Sequence, residues 1–184
     1  MATIRKGNKS VLMIVDVQIG VMKVCWDSER IISNINLAVE KARIHGIPII
    51  WVQHSDDELK FRSPEWELVP QLSPLKTDSR IDKHFNSSFE ETSLDELLSR
   101  FEVSHIVLAG AATNWCIRAT AYAALDRGYD VTLLKDAHST EDMEFEDGVI
   151  VKAESIIRDL NAAMKWLNYP GRVNRSVTAK DLVF

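Results

Sequence analysis

The sequence has few of the residue patterns that mark metal-binding and disulfide-bonded proteins. It contains two cysteines, Cys25 and Cys116, with no CxxC pair and no zinc-ligand spacing. Its five histidines are scattered, and no HExxH pair occurs. The sequence therefore predicts no metal site and no other cofactor. We also expect no disulfide between the two cysteines, because the compartment expected for this chain is reducing.

Long apolar runs and an excess of basic charge are missing as well. No run is long enough to span a bilayer, and the first residues, Met1–Lys6, contain no signal-peptide apolar region. The formal net charge is -5, with the charges interspersed and no basic patch. We expect a cytoplasmic protein that binds neither membranes nor nucleic acid. Its 184 residues suffice for one domain, 1–184, with a full core.

Short apolar runs alternate with helical patterns along the chain. Strands are predicted at Val11–Val15, Pro48–Val52, Arg80–His84, Ile106–Ala109, Tyr129–Leu134 and Val173–Val177. Helices are predicted at Ser28–His45, Ser93–Arg100, from the turn at Cys116 to Arg127, and at Ile150–Leu167. Repeated strand–helix units imply a parallel sheet covered on both faces. The expected fold is α/β: a three-layer α/β/α arrangement around a doubly wound, mainly parallel sheet of about six strands.

The turn after the fourth predicted strand carries a thiol. The run Ile106–Ala109 ends at Gly110, and Cys116 follows in the first turn of an Ala-rich helix that Thr113 can cap. Backbone N–H groups in a first helical turn are unpaired, and the helix dipole favours negative charge there. We therefore expect the pKa of the Cys116 thiol to lie below its usual ~8.5, as a nucleophile requires. The pattern alone also allows a small buried hydrophobic residue.

A carboxylate follows the first predicted strand. In the common doubly wound order, the first and fourth strands are neighbours at the switch point where ligands bind. This order predicts that Asp16 lies beside Cys116 as a general base, with a pKa raised by burial. A loop-bracing or N-cap aspartate is the alternative. Lys83 could stabilise a thiolate, but its strand is predicted at a distance, so the pattern alone leaves it a surface lysine.

These residues stand in sequence blocks that resemble the isochorismatase-like cysteine hydrolases. The blocks are Val11–Gln18, Lys83–Phe89 with Thr92, Gly110–Ala121, Arg127–Val131 and Asp136–Thr140. They occur in the family's order, and the resemblance covers nearly the whole chain. The resemblance implies a catalytic triad of Asp16, Lys83 and Cys116. It also implies a cis peptide at Ala111–Ala112 and an oxyanion hole formed by the backbone N–H groups of Ala112 and Cys116.

The resemblance also narrows the reaction. Isochorismatases proper cleave a vinyl ether and lack the nucleophilic cysteine, so Cys116 favours an amide, carbamoyl or related C–N substrate, hydrolysed through a thioester. Nicotinamidases in this group bind a metal through an Asp-x-His motif. Here the corresponding segment is Val52–Asp57, which contains His54 but lacks the full ligand set. The family further implies a homo-oligomer, a dimer or a tetramer.

Several residues near the motif ends are candidates for binding a small-molecule substrate. They are Gln18, Trp26, His54, Phe85, Asn86, Trp115 and Tyr122. Their aromatic rings would suit a small, flat or partly apolar ligand. The irregular stretch from His54 to Ser79, with its three prolines, is long enough to be a functional loop or a lid.

Three other interpretations stay open at this point. The protein could act on a substrate that is not an amide. It could be a thiol redox protein with Cys25 as the resolving cysteine. It could also be a binding protein with a retired site, although the intact trio of Asp16, Lys83 and Cys116 argues against that.

Overall fold

The computed structural model describes residues 5–184, so the first four residues of the N-terminal segment lie outside the described residues. The strands are β1 (Lys9–Val15), β2 (Ile49–His54), β3 (Ser79–Lys83), β4 (Val103–Ala111), β5 (Asp130–Ser139), β6 (Met143–Glu144), β7 (Ile150–Val151) and β8 (Asn174–Val177). The helices are α1 (Ile19–Met22), α2 (Ser28–Ile44), α3 (Leu94–Arg100), α4 (Arg118–Asp126) and α5 (Ala153–Trp166). A π-helical turn, Thr113–Ile117, leads directly into α4.

Six of the strands form one parallel sheet in the order β3-β2-β1-β4-β5-β8. The central strand β1 pairs with β2 and β4, so that Ile14 lies between Trp51 and Ala109. The predicted doubly wound fold is confirmed, as is the neighbour relation between the first and fourth predicted strands. Since parallel strands end at the same edge, the residues that follow β1 and β4 meet there.

Both faces of the sheet are buried, which accounts for the continuous apolar run in β1. Side chains alternate along a strand, so Met13 packs with Ile117 and Leu125 on one face. Leu12 and Ile14 pack with the apolar residues of α2 on the other face. The result is the expected arrangement of three layers.

The predicted end of the fifth strand and the predicted start of the last helix are wrong. The fifth predicted strand was expected to stop at Leu134, but β5 continues to Ser139. A register shift in its pairing with β4 lets Gly110 align with His138, so the polar residues after Leu134 extend the strand instead of ending it. The last predicted helix was expected to begin at Ile150. That residue instead belongs to β7, which pairs with β6, and α5 begins at Ala153.

The long connection between β2 and β3 is irregular, as predicted, but its second half is anchored. Val69 and Leu72 are buried in the core beside α2. Leu68 forms an isolated antiparallel bridge with Gln18. Within residues 5–184, no helix combines the length and the apolar character that crossing a membrane would require.

Candidate active site

Three buried side chains converge at the carboxyl edge of the sheet. Asp16 follows β1, Lys83 is the last residue of β3, and Cys116 lies in the π-helical turn after β4. Lys83 Nζ lies 2.7 Å from Asp16 Oδ2 and donates to Cys116 Sγ at 3.3 Å. Asp16 and Lys83 are each 1% exposed and Cys116 is 8% exposed. The structure thus brings together the three residues that the family resemblance implied as a catalytic triad.

The backbone around these residues is unusual. Asp16 has a φ of 54°, in the left-handed region that non-glycine residues seldom adopt. Gly110 has a φ of 126°, and a Cβ there would lie 1.9 Å from the carbonyl oxygen of Val15. Only glycine therefore allows β4 to pass this close to the end of β1. The peptide between Ala111 and Ala112 is cis, as the resemblance implied.

The turn that carries Cys116 differs from the predicted helix start. The Ala112 carbonyl accepts hydrogen bonds from the N–H groups of Trp115 (3.2 Å) and Ile117 (3.1 Å), which closes the turn. Thr113 makes no cap; its hydroxyl instead pairs with Nδ1 of the buried His138 at 2.8 Å. Cys116 therefore lies in a π-helical turn that runs into α4, and not in the first turn of an α-helix.

The expected lowering of the thiol pKa is wrong for this structure. Burial raises the pKa of Cys116 to about 12; the charge of Asp16 adds to the rise and Lys83 opposes it. With 8% of the residue exposed, the loss of hydration outweighs the nearby cation. The thiol of the free protein consequently holds its proton at neutral pH.

The carboxylate of Asp16 is available to accept a proton. Burial raises the pKa of its carboxyl, as predicted, and Lys83 partly offsets this rise. Lys83 forms a close ion pair with the carboxylate, but neither carboxylate oxygen has a well-formed hydrogen bond from the described part of the chain. An aspartate in this state can take a proton from the adjacent thiol.

Two of the predicted substrate-binding residues lie against the trio. Asn86 Oδ1 is 3.8 Å from Cys116 Sγ. His54 Nδ1 is 3.3 Å from Lys83 Nζ, and its Nε2 is 3.0 Å from Asp56 Oδ2. Both imidazole nitrogens of His54 are thus occupied by protein groups. The contact between Asp56 and the His54 ring was not predicted from the sequence.

Gln18 has a different role from the predicted one. Its side chain is fully buried, and its amide bonds to the backbone of the long loop and of β2. Nε2 donates to the carbonyls of His54 (3.0 Å) and Trp66 (2.8 Å), while Oε1 accepts from the His54 N–H at 2.8 Å. Gln18 therefore braces the loop, and has no group left to present to a substrate.

The predicted aromatic residues divide into two groups. Trp26, Phe85 and Trp115 are partly exposed, at 40%, 39% and 51%. Phe85 precedes Asn86, and Trp115 precedes Cys116, so both follow the strand ends that carry the trio. Tyr122 is half-buried and packs against the core under α4. A substrate contact by Tyr122 stays a prediction.

The metal and redox interpretations find no support in the side-chain arrangement. Among residues 5–184, no group of three or more His, Cys, Asp or Glu side chains is arranged to hold a metal ion. Both cysteines are free thiols. Cys25 donates to the carbonyl of Val21 at 3.4 Å, and burial raises its pKa to about 12.

The isochorismatase domain model matches residues 10–162 of this chain. The chain belongs to the isochorismatase family. Streptothricin hydrolase of Streptomyces noursei is 28% identical over 145 residues, which cover 75% of this chain and 57% of that protein. Ureidoacrylate amidohydrolase RutB of Cronobacter sakazakii is 30% identical over 139 residues, covering 58% of this chain and 60% of that protein.

The fold of this isochorismatase-family chain is shared by solved structures. An isochorismatase from Pseudomonas putida KT2440 superposes with a TM-score of 0.83 at 25% identity, covering 96% of this chain and 93% of that one. The chain spans less than two thirds of the length of the two curated relatives named above. The comparisons identify an isochorismatase-family hydrolase.

Proposed function

We propose that this isochorismatase-family hydrolase uses Cys116 to cleave a C–N bond in a small-molecule amide, carbamoyl or related compound. The observation that carries the proposal is the position of Lys83 Nζ, which contacts Asp16 Oδ2 at 2.7 Å and Cys116 Sγ at 3.3 Å in one buried cluster. Two relatives named as a streptothricin hydrolase and a ureidoacrylate amidohydrolase support a C–N substrate.

The first step is proton transfer from the thiol. Because burial raises the pKa of Cys116 to about 12, the enzyme does not store a thiolate. Asp16 accepts the thiol proton as the substrate carbonyl approaches, and Lys83 stabilises the negative charge that develops on sulfur. Sγ then forms a bond to the carbonyl carbon.

The second step breaks the C–N bond. We assign the backbone N–H groups of Ala112 and Cys116 to the oxyanion of the tetrahedral intermediate; one such donor is worth about a hundredfold in rate. Protonated Asp16 passes its proton to the leaving nitrogen, and a thioester remains on Cys116. Water, deprotonated by Asp16, then attacks the thioester, releases the acid and restores the thiol.

Residues around the trio would orient the substrate. Asn86 Oδ1, 3.8 Å from Sγ, could accept an N–H from the substrate amide. The exposed rings of Trp26, Phe85 and Trp115 would contact a flat or partly apolar remainder. We propose substrate contacts for these four residues and not for Gln18, whose fully buried amide already bonds to backbone groups.

A panel of small amides, carbamoyl and ureido compounds tests the proposal. Ammonia or amine release identifies substrates, and acid quenching followed by peptide mass analysis detects an acyl group on Cys116. Cys116→Ser should lower turnover by about a thousandfold or more, and remove the adduct. Cys25→Ala is the matched control and should keep both. Full turnover by Cys116→Ser, or loss of turnover only in Cys25→Ala, would refute the cysteine mechanism.

A further inference from the structure

The ammonium group of Lys83 has three close electronegative neighbours. They are Asp16 Oδ2 at 2.7 Å, Cys116 Sγ at 3.3 Å and His54 Nδ1 at 3.3 Å. A lysine ammonium has three N–H donors and no acceptor. The ammonium forms a close ion pair with Asp16, donates to Cys116 and lies at hydrogen-bond distance from His54. Asp16 and Cys116 are the reacting groups of the proposed function. The third, His54, has no part in the mechanism described above.

The contact with Lys83 fixes the protonation of the imidazole ring. Since an ammonium can only donate, Nδ1 of His54 must present its lone pair, and the proton of the neutral ring must be on Nε2. That proton points to Asp56 Oδ2 at 3.0 Å. An imidazole with the proton on Nδ1, or with both nitrogens protonated, would direct an N–H at the ammonium.

Asp56 is itself held in place by the backbone. Its Oδ1 accepts hydrogen bonds from the N–H groups of Glu58 (2.9 Å) and Leu59 (2.7 Å), which leaves Oδ2 for His54. These bonds, the Leu59 bond foremost, lower the pKa of Asp56 and keep it ionised. The backbone of His54 is also fixed, because its N–H and carbonyl both bond to Gln18.

We propose that His54 is a positioning residue: its Nδ1 accepts an N–H of Lys83 and so holds the ammonium group between Asp16 and Cys116. Asp56 selects the imidazole tautomer that makes this possible. His54 and Lys83 are paired in register on neighbouring parallel strands, so the contact follows from the sheet itself. This inference rests on the proposed function only in assigning Asp16 and Cys116 as the reacting groups.

The tautomer can be measured directly without a substrate. Isotope-edited NMR of the imidazole nitrogens in the full chain, at about pH 8 where an ordinary imidazole is neutral, should show the His54 proton on Nε2. In Asp56→Asn, whose amide can offer an N–H to Nε2, the population with the proton on Nδ1 should rise. Asp57→Asn, the adjacent substitution, should leave the spectrum unchanged. A proton on Nδ1 in the wild-type protein would overturn the proposal.

The rate of Cys116 alkylation by iodoacetamide tests the consequence for the thiol. His54→Leu removes the acceptor and should slow alkylation about tenfold, the size of one hydrogen bond to a charged group. His54→Asn keeps an oxygen near the place of Nδ1 and should stay within about threefold of wild type. His45→Leu, an exposed control at the end of α2, should not change the rate.

The pattern of the two His54 variants decides between positioning and simple packing. Equal slowing of His54→Leu and His54→Asn, or no slowing of either, would contradict positioning. The outcome is separate from that of the hydrolase proposal. If the protein hydrolyses no amide and still shows the His54 proton on Nε2 and near-normal alkylation in His54→Asn, that result would support the positioning role of His54 and refute the proposed reaction.

Discussion

Lys83 Nζ lies 2.7 Å from Asp16 Oδ2, although β2 separates the two strands that carry these residues. Neighbouring strands are about 4.8 Å apart, so the backbones of β3 and β1 are separated by about 10 Å. The long side chain of Lys83, fully buried, closes this gap. A buried ion pair costs hydration free energy that its attraction seldom recovers, so its presence here indicates function more than stability.

The coupling within this pair can be measured as unfolding free energy. Asp16→Asn leaves a buried ammonium without its carboxylate, and should lower the free energy of unfolding by about 3 kcal/mol. Lys83→Met should also destabilise, because Asp16 loses its cation. The double variant should lose less unfolding free energy than the sum of the losses in the two single variants. Denaturant titrations of the four proteins test this, and strictly additive losses would show that the pair is not coupled.

The role of Asp16 as a base has its own test. Asp16→Asn should lower turnover of any amide substrate about a hundredfold or more, because the thiol proton loses its acceptor. Asp27→Asn is a matched control, since Asp27, like Asp16, has a positive φ (51°) but lies outside the trio. Steady-state kinetics measure both. Unchanged turnover in Asp16→Asn would remove Asp16 from the mechanism.

Gln18 should behave as a structural residue. Gln18→Met removes hydrogen bonds to the backbone of His54 and Trp66, and should lower the free energy of unfolding by about 2 kcal/mol. The exposed Gln71→Met is the control and should have little effect. Thermal and denaturant unfolding give the measurement. A raised KM with unchanged stability in Gln18→Met would instead restore the predicted substrate contact.

Much of the fold was predictable because its signals are local. The apolar run of β1 and the helical spacing of α2 identify buried elements directly, and their alternation sets the class of sheet. From that order alone, Asp16 and Cys116 were predicted to be neighbours, and they are. The continuation of β5 past Leu134 was missed, because it depends on a register shift against β4 that no local pattern encodes.

The site itself was less predictable from pattern. Lys83 was assigned to the triad only from the family resemblance, because strand order cannot show that a side chain reaches past a neighbouring strand. The raised pKa of Cys116 was missed because burial is a property of the whole fold. The use of the Gln18 amide was missed for the same reason. The single-domain organisation, the oligomeric state and the cellular location stay predictions.

Stability should fall in mild acid because of a buried histidine beside the site. Burial lowers the pKa of His138 from 6.5 to about 4, so the unfolded chain takes up a proton before the native protein does. The stabilising effect is complete above about pH 6.5 and is lost as the pH falls to about 4, by about 3 kcal/mol.

Unfolding titrations across this pH range test the effect. His138→Gln should reduce the pH slope by about one proton, and His45→Gln, an exposed control, should not. His105, whose pKa burial also lowers to about 4, keeps its share of the slope in both variants. An unchanged slope in His138→Gln would mean that His138 is not the group that titrates.

The two cysteines provide the most direct test of an activated thiol. Cys25 and Cys116 are 9% and 8% exposed, and burial raises the pKa of each to about 12. They differ in that only Cys116 has Asp16 and Lys83 beside its sulfur. With limiting iodoacetamide at about pH 7, we expect Cys116 to be alkylated at least about tenfold faster than Cys25. Lys83→Met should abolish the difference, because Lys83 is the group that opposes the rise in the Cys116 pKa. Equal rates at the two cysteines in the wild-type protein would contradict an activated Cys116.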